Sequence, residues 1–420
     1  MFARWSQQWA LVVLGVSFLI LAGCAGIRMP AVAVSAPVHI SPDGVNAAEP
    51  AVAAAPDGGS YVTYVEHHGD AGADLYFQKL DDKGQPAGSR VRINETPDIA
   101  KAWCGDPPTI AVTKDGAIFI GWTRRFTDAN AKGNDLMLSV SHDAGATFSN
   151  GVKVNDDTLP ASHGMHSLAV TSDGHIVMAW LDERNIKTTP HDMSKMSSEM
   201  HHEESEPNSE VFSAISTDGG KTFSQNQKLT TEACPCCKTT LLAAADGTVY
   251  AAWRQVLEGD HRHIAVASSK DGGATFSQPT MVSNDQWQIH ACPVSGAALS
   301  SSEKGEVEVA WYTEGAAGPA GLYFAHSHDG GKSFSERKLI SDTAKSGTPT
   351  LVQDGDSLTA IFSGKDGNTQ VVRLSEHADM AGTSRLPNAA TASATVTKNG
   401  PVFIFSRVEN DISSIWFSRS

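Results

Sequence analysis

The chain has 420 residues, with 47 acidic and 32 basic side chains and a formal net charge of −15 when histidine is neutral. This acidic balance argues against nucleic acid as a partner and against an electrostatic footprint on anionic lipid. The length would fit two or three ordinary domains, but internal repetition overrides that estimate.

The N-terminus has the pattern of a bacterial lipoprotein signal. A basic Arg4 precedes an apolar stretch that is too short for a comfortable membrane span. The stretch ends in Leu-Ala-Gly before Cys24, which resembles a lipobox. This resemblance implies a signal peptide over residues 1–23 and acyl chains on Cys24. An ordinary signal peptide with a chance cysteine is the alternative.

The residue after Cys24 bears on the final location. It is Ala25 rather than Asp, which resembles the sorting rule for the outer membrane. We therefore expect an outer-membrane lipoprotein that faces the periplasm of a Gram-negative-type bacterium, with a membrane anchor on Cys24. Residues 24–36 are small and aperiodic, and they are predicted to form a lipidated tether.

After the tether, seven stretches of the sequence predict β-hairpins. Each places a turn between β-branched and aromatic runs, and Asp-Gly or Asn-Gly turns of this kind are strong hairpin signals. The turns are Asp57-Gly58, Asp115-Gly116, Asp173-Gly174, Asp246-Gly247, Lys304-Gly305, Gly355 and Asn399-Gly400. Their spacing of roughly 45–60 residues is typical of propeller blades.

Each hairpin is followed by a third and a short fourth strand, except the last, which has no sequence left for a fourth. The segment Val38–Ser41 resembles the other fourth strands and would close the last blade, removing an open edge. The prediction is therefore an all-β propeller over residues 37–420, built from four-stranded antiparallel blades. Seven blades are favoured, with six as the alternative.

Four copies of the pattern S-x-D-x-G-x-[ST]-F lie between predicted third and fourth strands. They begin at Ser141, Ser216, Ser269 and Ser327. In such a turn the Asp carboxylate accepts hydrogen bonds from the turn's own amides, and Gly supplies a positive φ. The hydroxyl ties the far end, and Phe packs between neighbouring units. The pattern resembles the Asp box of the sialidase-like (BNR-repeat) β-propellers, and the resemblance covers nearly all of the chain after Cys24.

Blade topology separates two faces of the predicted propeller. The Asp boxes and the Asp-Gly hairpins share one face, which we call the Asp-box face. Loops from second to third strands, and from each fourth strand to the next blade, lie on the opposite face, which we call the loop face. In propellers that this chain resembles, ligands bind at the loop face.

Unusual residues concentrate on the loop face. Trp103 and Trp287 lie there, beside sulfur and imidazole side chains that precede the first strands of four neighbouring blades, namely Cys104, His163, Met165, His166, Cys234, Cys236, Cys237, His290 and Cys292. An insertion of about fifteen residues into the blade period of the third blade adds Met193, Met196, Met200, His201 and His202. Thiolate, thioether and imidazole together favour copper(I), with zinc as the alternative for Cys and His alone. The insertion resembles the Met/His-rich segments of copper-handling proteins.

Three other interpretations of the cysteines remain open. Five cysteines follow Cys24, so disulfides such as Cys104–Cys234 or Cys237–Cys292 would staple loops and leave one thiol over. The Cys-Pro-Cys-Cys run contains a C-x-x-C spacing that would suit a redox dithiol, although no βαβ pattern surrounds it. The Met/His insertion is equally well a solvated segment without a ligand.

The sialidase resemblance implies an enzymatic alternative, an exo-α-sialidase-type glycoside hydrolase. Such enzymes use a Tyr nucleophile with a Glu, an Asp acid/base and three arginines around the substrate carboxylate. The matching candidates are Tyr312, Glu314, Asp106, Arg124, Arg184 and Arg254. The family's Arg-Ile-Pro motif is absent, and these charges would equally form ion pairs at the rim. Whether the chain is an enzyme stays open, and a non-catalytic scaffold for a periplasmic protein is a second alternative.

Overall fold

The computed structural model describes residues 30–128, 131–186, 207–302, 304–375 and 378–420. The predicted signal peptide and the lipidation site Cys24 lie outside these ranges. So do the insertion residues Met193, Met196, Met200, His201 and His202. Within the described ranges, no helix is long and apolar enough to cross a membrane. Short 3-10 helices lie in these ranges at Gly69–Ala71 and Glu258–Asp260.

The structure consists of antiparallel β-strands. The first part of the chain contains β1 (Val38–His39), β2 (Ala47–Ala54), β3 (Ser60–His67), β4 (Ala73–Leu80), β5 (Val91–Arg92), β6 (Ala100–Lys101), β7 (Thr109–Val112), β8 (Ile118–Arg125), β9 (Asn134–Ser141), β10 (Val152–Lys153), β11 (His163–Val170), β12 (Ile176–Asp182), β13 (Ser209–Ser216) and β14 (Gln227–Ala233). The second part contains β15 (Thr240–Ala243), β16 (Val249–Leu257), β17 (His261–Ser269), β18 (Thr280–Met281), β19 (Ala297–Ser301), β20 (Val307–Thr313), β21 (Gly321–Ser327), β22 (Lys338–Ser341), β23 (Thr350–Asp354), β24 (Ser357–Ser363), β25 (Thr369–Leu374), β26 (Met380–Leu386), β27 (Ala389–Thr397), β28 (Gly400–Glu409) and β29 (Ile412–Arg419).

Strand pairing groups these elements into four-stranded sets. Within the described residues the sets are β2–β5, β7–β10, β11–β14, β15–β18, β19–β22, β23–β26 and β27–β29 with β1. The short β6 joins the first two sets, and a pair between Ala233 and Gln255 joins the third to the fourth. The first strand of each set contacts the first strand of the next, and β27 contacts β2. The prediction of an all-β fold of four-stranded antiparallel sheets is confirmed.

The N-terminal segment runs along the last sets. Val38 pairs with Phe417 and His39 with Trp416, so β1 is the fourth strand of the sheet that contains the C-terminus. Within the residues assigned to the tether, Val32 is buried and donates a backbone hydrogen bond to the Thr383 carbonyl oxygen at 3.0 Å. The chain is therefore held against the sheets from about this point onward.

The Asp boxes fold as the sequence predicts. In the first, the Ser141 hydroxyl donates to Asp143 at 2.8 Å, and Asp143 accepts from the amide and the hydroxyl of Thr147 at 2.9 and 2.6 Å. The hydrogen bond from the Thr147 side chain is the largest of the effects that lower the pKa of Asp143 to about 2. The ring of Phe148 packs against the ring of Phe77 in the preceding set, with 5.1 Å between the ring centres. Ile118, just after an Asp-Gly turn, pairs with Ser141, so the two turn types lie at the same end of the sheet.

Three large tryptophans anchor the other end of the second strands. Trp180, Trp253 and Trp311 are fully buried in the apolar layers between sets. Each indole N–H donates at 2.7 Å, to Asp182, to Gln255 and to Asp285 respectively. Because each ring is fixed at both its apolar and its polar end, the residues that follow it are held in place at the loop face. Arg254 is one of them.

Candidate functional site

A tight turn after β14 carries three of the cysteines on the loop face. The Cys234 amide donates to the Arg254 carbonyl oxygen at 2.8 Å, which fixes the start of the turn beside β16. The Cys237 amide donates back to the Cys234 carbonyl oxygen at 3.3 Å, and Pro235 lies at the second position, which proline favours in such turns. The turn therefore brings the first and last cysteine together and leaves Cys236 to another partner.

The sulfur atoms form a buried cluster. The Cys234 Sγ lies 2.7 Å from the Cys237 Sγ and 3.8 Å from the Cys236 Sγ. Cys236 forms a disulfide with Cys292, while Cys104, Cys234 and Cys237 are free thiols. This pairing is neither of the two suggested from the sequence, Cys104–Cys234 and Cys237–Cys292, because the turn places Cys234 against Cys237. Cys104 is exposed and lies outside the three-sulfur group.

Met165 packs against the same cluster. The pairing of β11 with β12 shifts register between Gly164 and Ser167, which forms a bulge. Within it, Met165 has a φ of +52°, a value that residues other than glycine rarely adopt. The amide and hydroxyl of Thr239 donate to the Met165 carbonyl oxygen at 3.0 and 2.9 Å. The bulge is thereby tied to the cysteine turn, and the Met165 side chain lies in one buried cluster with Cys234, Cys236 and Cys237.

The two free thiols of the cluster differ in acidity. The hydrogen bond with Cys237 lowers the pKa of Cys234 to about 6, against the effect of burial and with help from the charges of Arg254 and Arg262. Burial raises the pKa of the Cys237 thiol well above its usual value. The pair therefore favours one thiolate, on Cys234, and one thiol that donates to it.

The arginines beside the cluster are buried and incompletely paired. Arg254 donates to the carbonyl oxygens of Ser295 at 2.7 Å and Tyr312 at 2.9 Å, and its guanidinium lies 4.8 Å from the ring centre of Trp287. Its Nη1 has no hydrogen-bond partner among the described residues, and neither do the Nε and Nη1 of buried Arg262. Buried donors of this kind favour a nearby negative charge.

The predicted histidines lie apart from the sulfurs. His163 is buried, with Nδ1 donating to the Asn134 carbonyl oxygen at 2.7 Å and Nε2 lying 3.1 Å from Asp157. His290 is exposed, and its Nδ1 lies 2.8 Å from Asp260. Each of these imidazoles is paired with a carboxylate, so the histidines and the cysteines form separate groups.

His166 belongs to a further buried pair. Its Nδ1 lies 3.0 Å from Asp106, while its Nε2 has no hydrogen-bond partner among the described residues. Burial alone would raise the pKa of Asp106, but the charges of His166 and Lys238 outweigh it and the pKa is lowered. Burial also lowers the pKa of Lys238 to about 8, although the Asp106 carboxylate opposes this.

A cavity of about 720 Å³ runs between the first strands, lined mostly by small and hydroxyl side chains. Cys104, Trp103 and Lys238 line it on the loop-face side, and Glu49 and Lys345 add the charges of its wall. Cys234, Cys236 and Cys237 do not line this space, so the sulfur cluster lies in the layer between the third and fourth sets.

The residues of the sialidase alternative do not all come together, although Arg254 donates to the Tyr312 carbonyl oxygen at 2.9 Å. Arg124 pairs with Asp135 at 2.8 Å, and Arg184 pairs with Asp182 at 2.8 Å. The Tyr312 hydroxyl donates to Glu314 at 2.5 Å, and its pKa is raised by burial and by that carboxylate. None of Arg124, Arg184 and Arg254 is among the described residues that line the central cavity.

Comparison with known proteins identifies the family of this chain. The family model described as a BNR repeat-like domain matches residues 104–361. The chain belongs to this family. No curated protein matches. The sialidase-like BNR propeller fold predicted from the Asp boxes is therefore confirmed.

Solved structures support the BNR fold at low identity. A crystal structure of a protein of unknown function from Dyadobacter fermentans is 16% identical, covers 78% of this chain and 96% of that one, and gives a TM-score of 0.54. The Hadza microbial sialidase Hz136 is 13% identical, with 86% and 76% covered and a TM-score of 0.51. NanB sialidase from Streptococcus pneumoniae is 11% identical, with 86% and 83% covered and a TM-score of 0.50. At these identities the likeness shows the fold alone.

Two residues near this site were not predicted from the sequence. Arg262 lies between two histidines on β17, and an alternating pattern that places an arginine in a buried strand could have indicated it. Lys238 directly follows the last cysteine of the turn, and its position next to Cys237 was the available signal. Arg262 brings positive charge to the thiols, whereas the charge of Lys238 acts on Asp106.

Proposed function

We propose that this BNR propeller binds a soft metal ion, copper(I) in particular, through the Cys234 and Cys237 thiolates. The observation that carries the proposal is the pair of free, buried thiols in contact with each other, with the Met165 thioether in the same cluster. Thiolate and thioether are soft ligands that select copper(I) over calcium or magnesium. Zinc remains the alternative metal for the thiolates alone.

Charge balance supports this proposal. Two thiolates and one copper(I) ion carry a net charge of −1, which is costly to bury without a counter-charge. Arg254 and Arg262 are both buried, and both lower the pKa of Cys234. Their charges would offset the excess negative charge of the site, and three of their donor nitrogens have no hydrogen-bond partner among the described residues. Because arginine side chains stay protonated in proteins, both guanidinium groups carry a positive charge.

The spacing of the sulfurs requires one adjustment. Two sulfurs bound to a tetrahedral zinc ion at about 2.3 Å each lie roughly 3.8 Å apart, and the wider angle of a two-thiolate copper(I) ion would need at least this separation. The Cys234 and Cys237 sulfurs are 2.7 Å apart, so they must separate by about 1 Å when the ion enters. The proposal therefore requires a side-chain rotation at Cys234 or Cys237, with the turn held by the Cys236–Cys292 disulfide.

The Met/His insertion would deliver the metal. The described chain resumes after it at residue 207, and Ser209 pairs with Ala233, the residue before Cys234. The insertion residues Met193, Met196, Met200, His201 and His202 thus precede β13, a strand that begins beside the cluster. We propose that these weak ligands capture copper(I) and pass it to the thiolate pair.

The test is a competition titration of the purified full chain, with the Cys236–Cys292 disulfide intact and Cys234 and Cys237 as free thiols, against copper(I) and a chromophoric chelator under anaerobic conditions. We expect one tightly held ion per chain, lost in the double variant Cys234→Ser/Cys237→Ser. The matched control is Cys104→Ser, which removes the exposed thiol and should leave binding unchanged. Retention of the ion in the double variant would contradict the proposal.

The enzymatic alternative has its own readout. Release of sialic acid from a fluorogenic sialoside, abolished by Tyr312→Phe, would favour a glycoside hydrolase. We rank it second because Arg124 and Arg184 are each engaged with an aspartate of their own sheet. A scaffold for a periplasmic protein would give neither result.

We also propose that the protein is anchored in a membrane through Cys24. The Cys24 lipobox supports anchoring in the outer membrane with the propeller in the periplasm. Metabolic labelling with a palmitate analogue, lost in Cys24→Ala, tests the anchor.

A further inference from the structure

We propose that the four clustered cysteines form a disulfide relay, in which the Cys236–Cys292 disulfide exchanges with the Cys234/Cys237 dithiol. The relay uses the site of the proposed metal function, but it needs no metal. Its product is an isomer of the same chain, with a disulfide between Cys234 and Cys237 and free thiols on Cys236 and Cys292.

The geometry places the attacking sulfur beside the disulfide. The Cys234 Sγ lies 3.8 Å from the Cys236 Sγ, and all three sulfurs of the turn lie within 4.8 Å of one another. Thiol–disulfide exchange proceeds by attack of a thiolate on one sulfur of a disulfide. Cys234 is therefore in contact with its electrophile before any movement of the backbone.

The second step has an even shorter path. The Cys237 Sγ lies 2.7 Å from the Cys234 Sγ, closer than two sulfurs that do not interact. Once Cys234 has joined Cys236, Cys237 is positioned to attack Cys234 and release Cys236. The C-x-x-C spacing of Cys234 and Cys237 is the one that redox dithiols use.

The two steps balance without an external oxidant. In the first, the Cys234 thiolate forms a bond to the Cys236 Sγ, the Cys236–Cys292 bond breaks, and Cys292 leaves as a thiolate that takes up a proton. In the second, Cys237 loses its proton and forms a bond to the Cys234 Sγ, and Cys236 leaves as the thiolate. One disulfide is consumed and one is formed.

The two ends of the relay differ in exposure. Cys292 is exposed at the surface, whereas Cys234 and Cys237 are buried. The relay therefore moves a disulfide between a position that external thiols reach and one that they do not. In the isomer with the inner disulfide, the ligand pair of the proposed metal site is blocked.

Peptide mapping distinguishes the two isomers. Trypsin releases residues 229–238, which contain Cys234, Cys236 and Cys237, and residues 271–304, which contain Cys292. The starting isomer gives these two peptides as a cross-linked pair with two alkylated thiols. The relayed isomer gives a separate 229–238 peptide with an internal disulfide and an alkylated Cys292.

The experiment uses the metal-free full chain with Cys104→Ser, so that the exposed thiol does not take part. The chain is prepared with one disulfide, incubated at neutral pH, quenched with acid, alkylated and digested at intervals. We expect both isomers, with a ratio that converges to one value from preparations that start on either side. In Cys237→Ser the inner disulfide should be absent, and the only new species should join Cys234 to Cys236. A cross-linked pair that persists unchanged at all times would overturn the relay.

This outcome is separate from the metal titration. A chain that binds copper(I) but shows no exchange would refute the relay alone. A chain that exchanges but binds no copper(I) would refute the metal proposal alone.

Discussion

The two faces of the propeller follow opposite rules. On the Asp-box face, Asp143, Asp218, Asp271 and Asp329 accept nearly identical hydrogen bonds from their own turns, and each of the four boxes places a Phe against an apolar cluster. On the loop face, the sulfur cluster occurs once, and buried arginine donors beside it lack partners among the described residues. Repetition therefore marks what each blade needs to fold, and departure from the repeat marks what the molecule uses once.

The largest effect should come from breaking the Asp-box face at a glycine. Gly145 has a φ of +86°, and a Cβ built there would lie 2.0 Å from Cε1 of buried Phe77. Gly145→Ala should therefore lower the free energy of unfolding by about 3 kcal/mol, from backbone strain and overpacking together. Denaturant unfolding followed by tryptophan fluorescence measures this change.

Gly174 supplies the control for that substitution. Its φ is +88°, but no described atom lies within 4 Å of the position that a Cβ would occupy there. Gly174→Ala should cost only the backbone strain, about 1 kcal/mol. Equal losses at the two positions would show that the contact with Phe77 is not what the box requires. Copper(I) binding should survive in both variants.

A second prediction concerns a carboxyl near the Asp-box face that does not follow the rule. Glu308 pairs across the sheet with His326, one residue before an Asp box, and its Oε2 has no hydrogen-bond partner among the described residues. Burial raises the pKa of Glu308 to about 7. Because the folded-state pKa lies above that of the unfolded chain, its contribution to stability is present at low pH. It is lost as the pH rises through about 7.

Glu308→Gln should therefore raise the free energy of unfolding by about 2 kcal/mol at pH 8 and leave it nearly unchanged at pH 4. Thermal or denaturant unfolding at the two pH values measures the difference. The exposed Glu336 provides a control for net charge through Glu336→Gln. An equal gain at both pH values would contradict the assigned cause.

The sequence was sufficient for the repeated part of the molecule and insufficient for the single site. The Asp-box motifs predicted their own hydrogen bonds, because every partner lies within four residues along the chain. The blade topology predicted that Cys234 and Cys292 share a face. It did not predict that Cys236 would be the partner of Cys292, since that choice depends on how one tight turn orients three neighbouring side chains.

The histidines show the same limit. The sequence predicted that His163 and His166 would join Met165 and the cysteines in one ligand set. Their ring nitrogens instead lie beside the carboxylates of Asp157 and Asp106. The direction of a side chain at a β-bulge depends on a backbone shift that residue spacing does not reveal.

The smallest effect, and the sharpest test of the loop face, is at Met165. Met165→Leu keeps an apolar side chain of similar volume and removes the thioether, so stability should change by less than about 1 kcal/mol. If the thioether is a ligand, copper(I) affinity should fall about tenfold, equivalent to about 1.4 kcal/mol, in the chelator competition.

The matched control is Met178→Leu, because Met178 is fully buried in a different apolar cluster, without cysteine. That variant should bind copper(I) as the unaltered chain does. Equal affinity in Met165→Leu would assign Met165 to packing alone and restrict the site to the two thiolates. The strained φ of Met165 does not depend on a metal, since the two hydrogen bonds from Thr239 to its carbonyl oxygen hold the bulge.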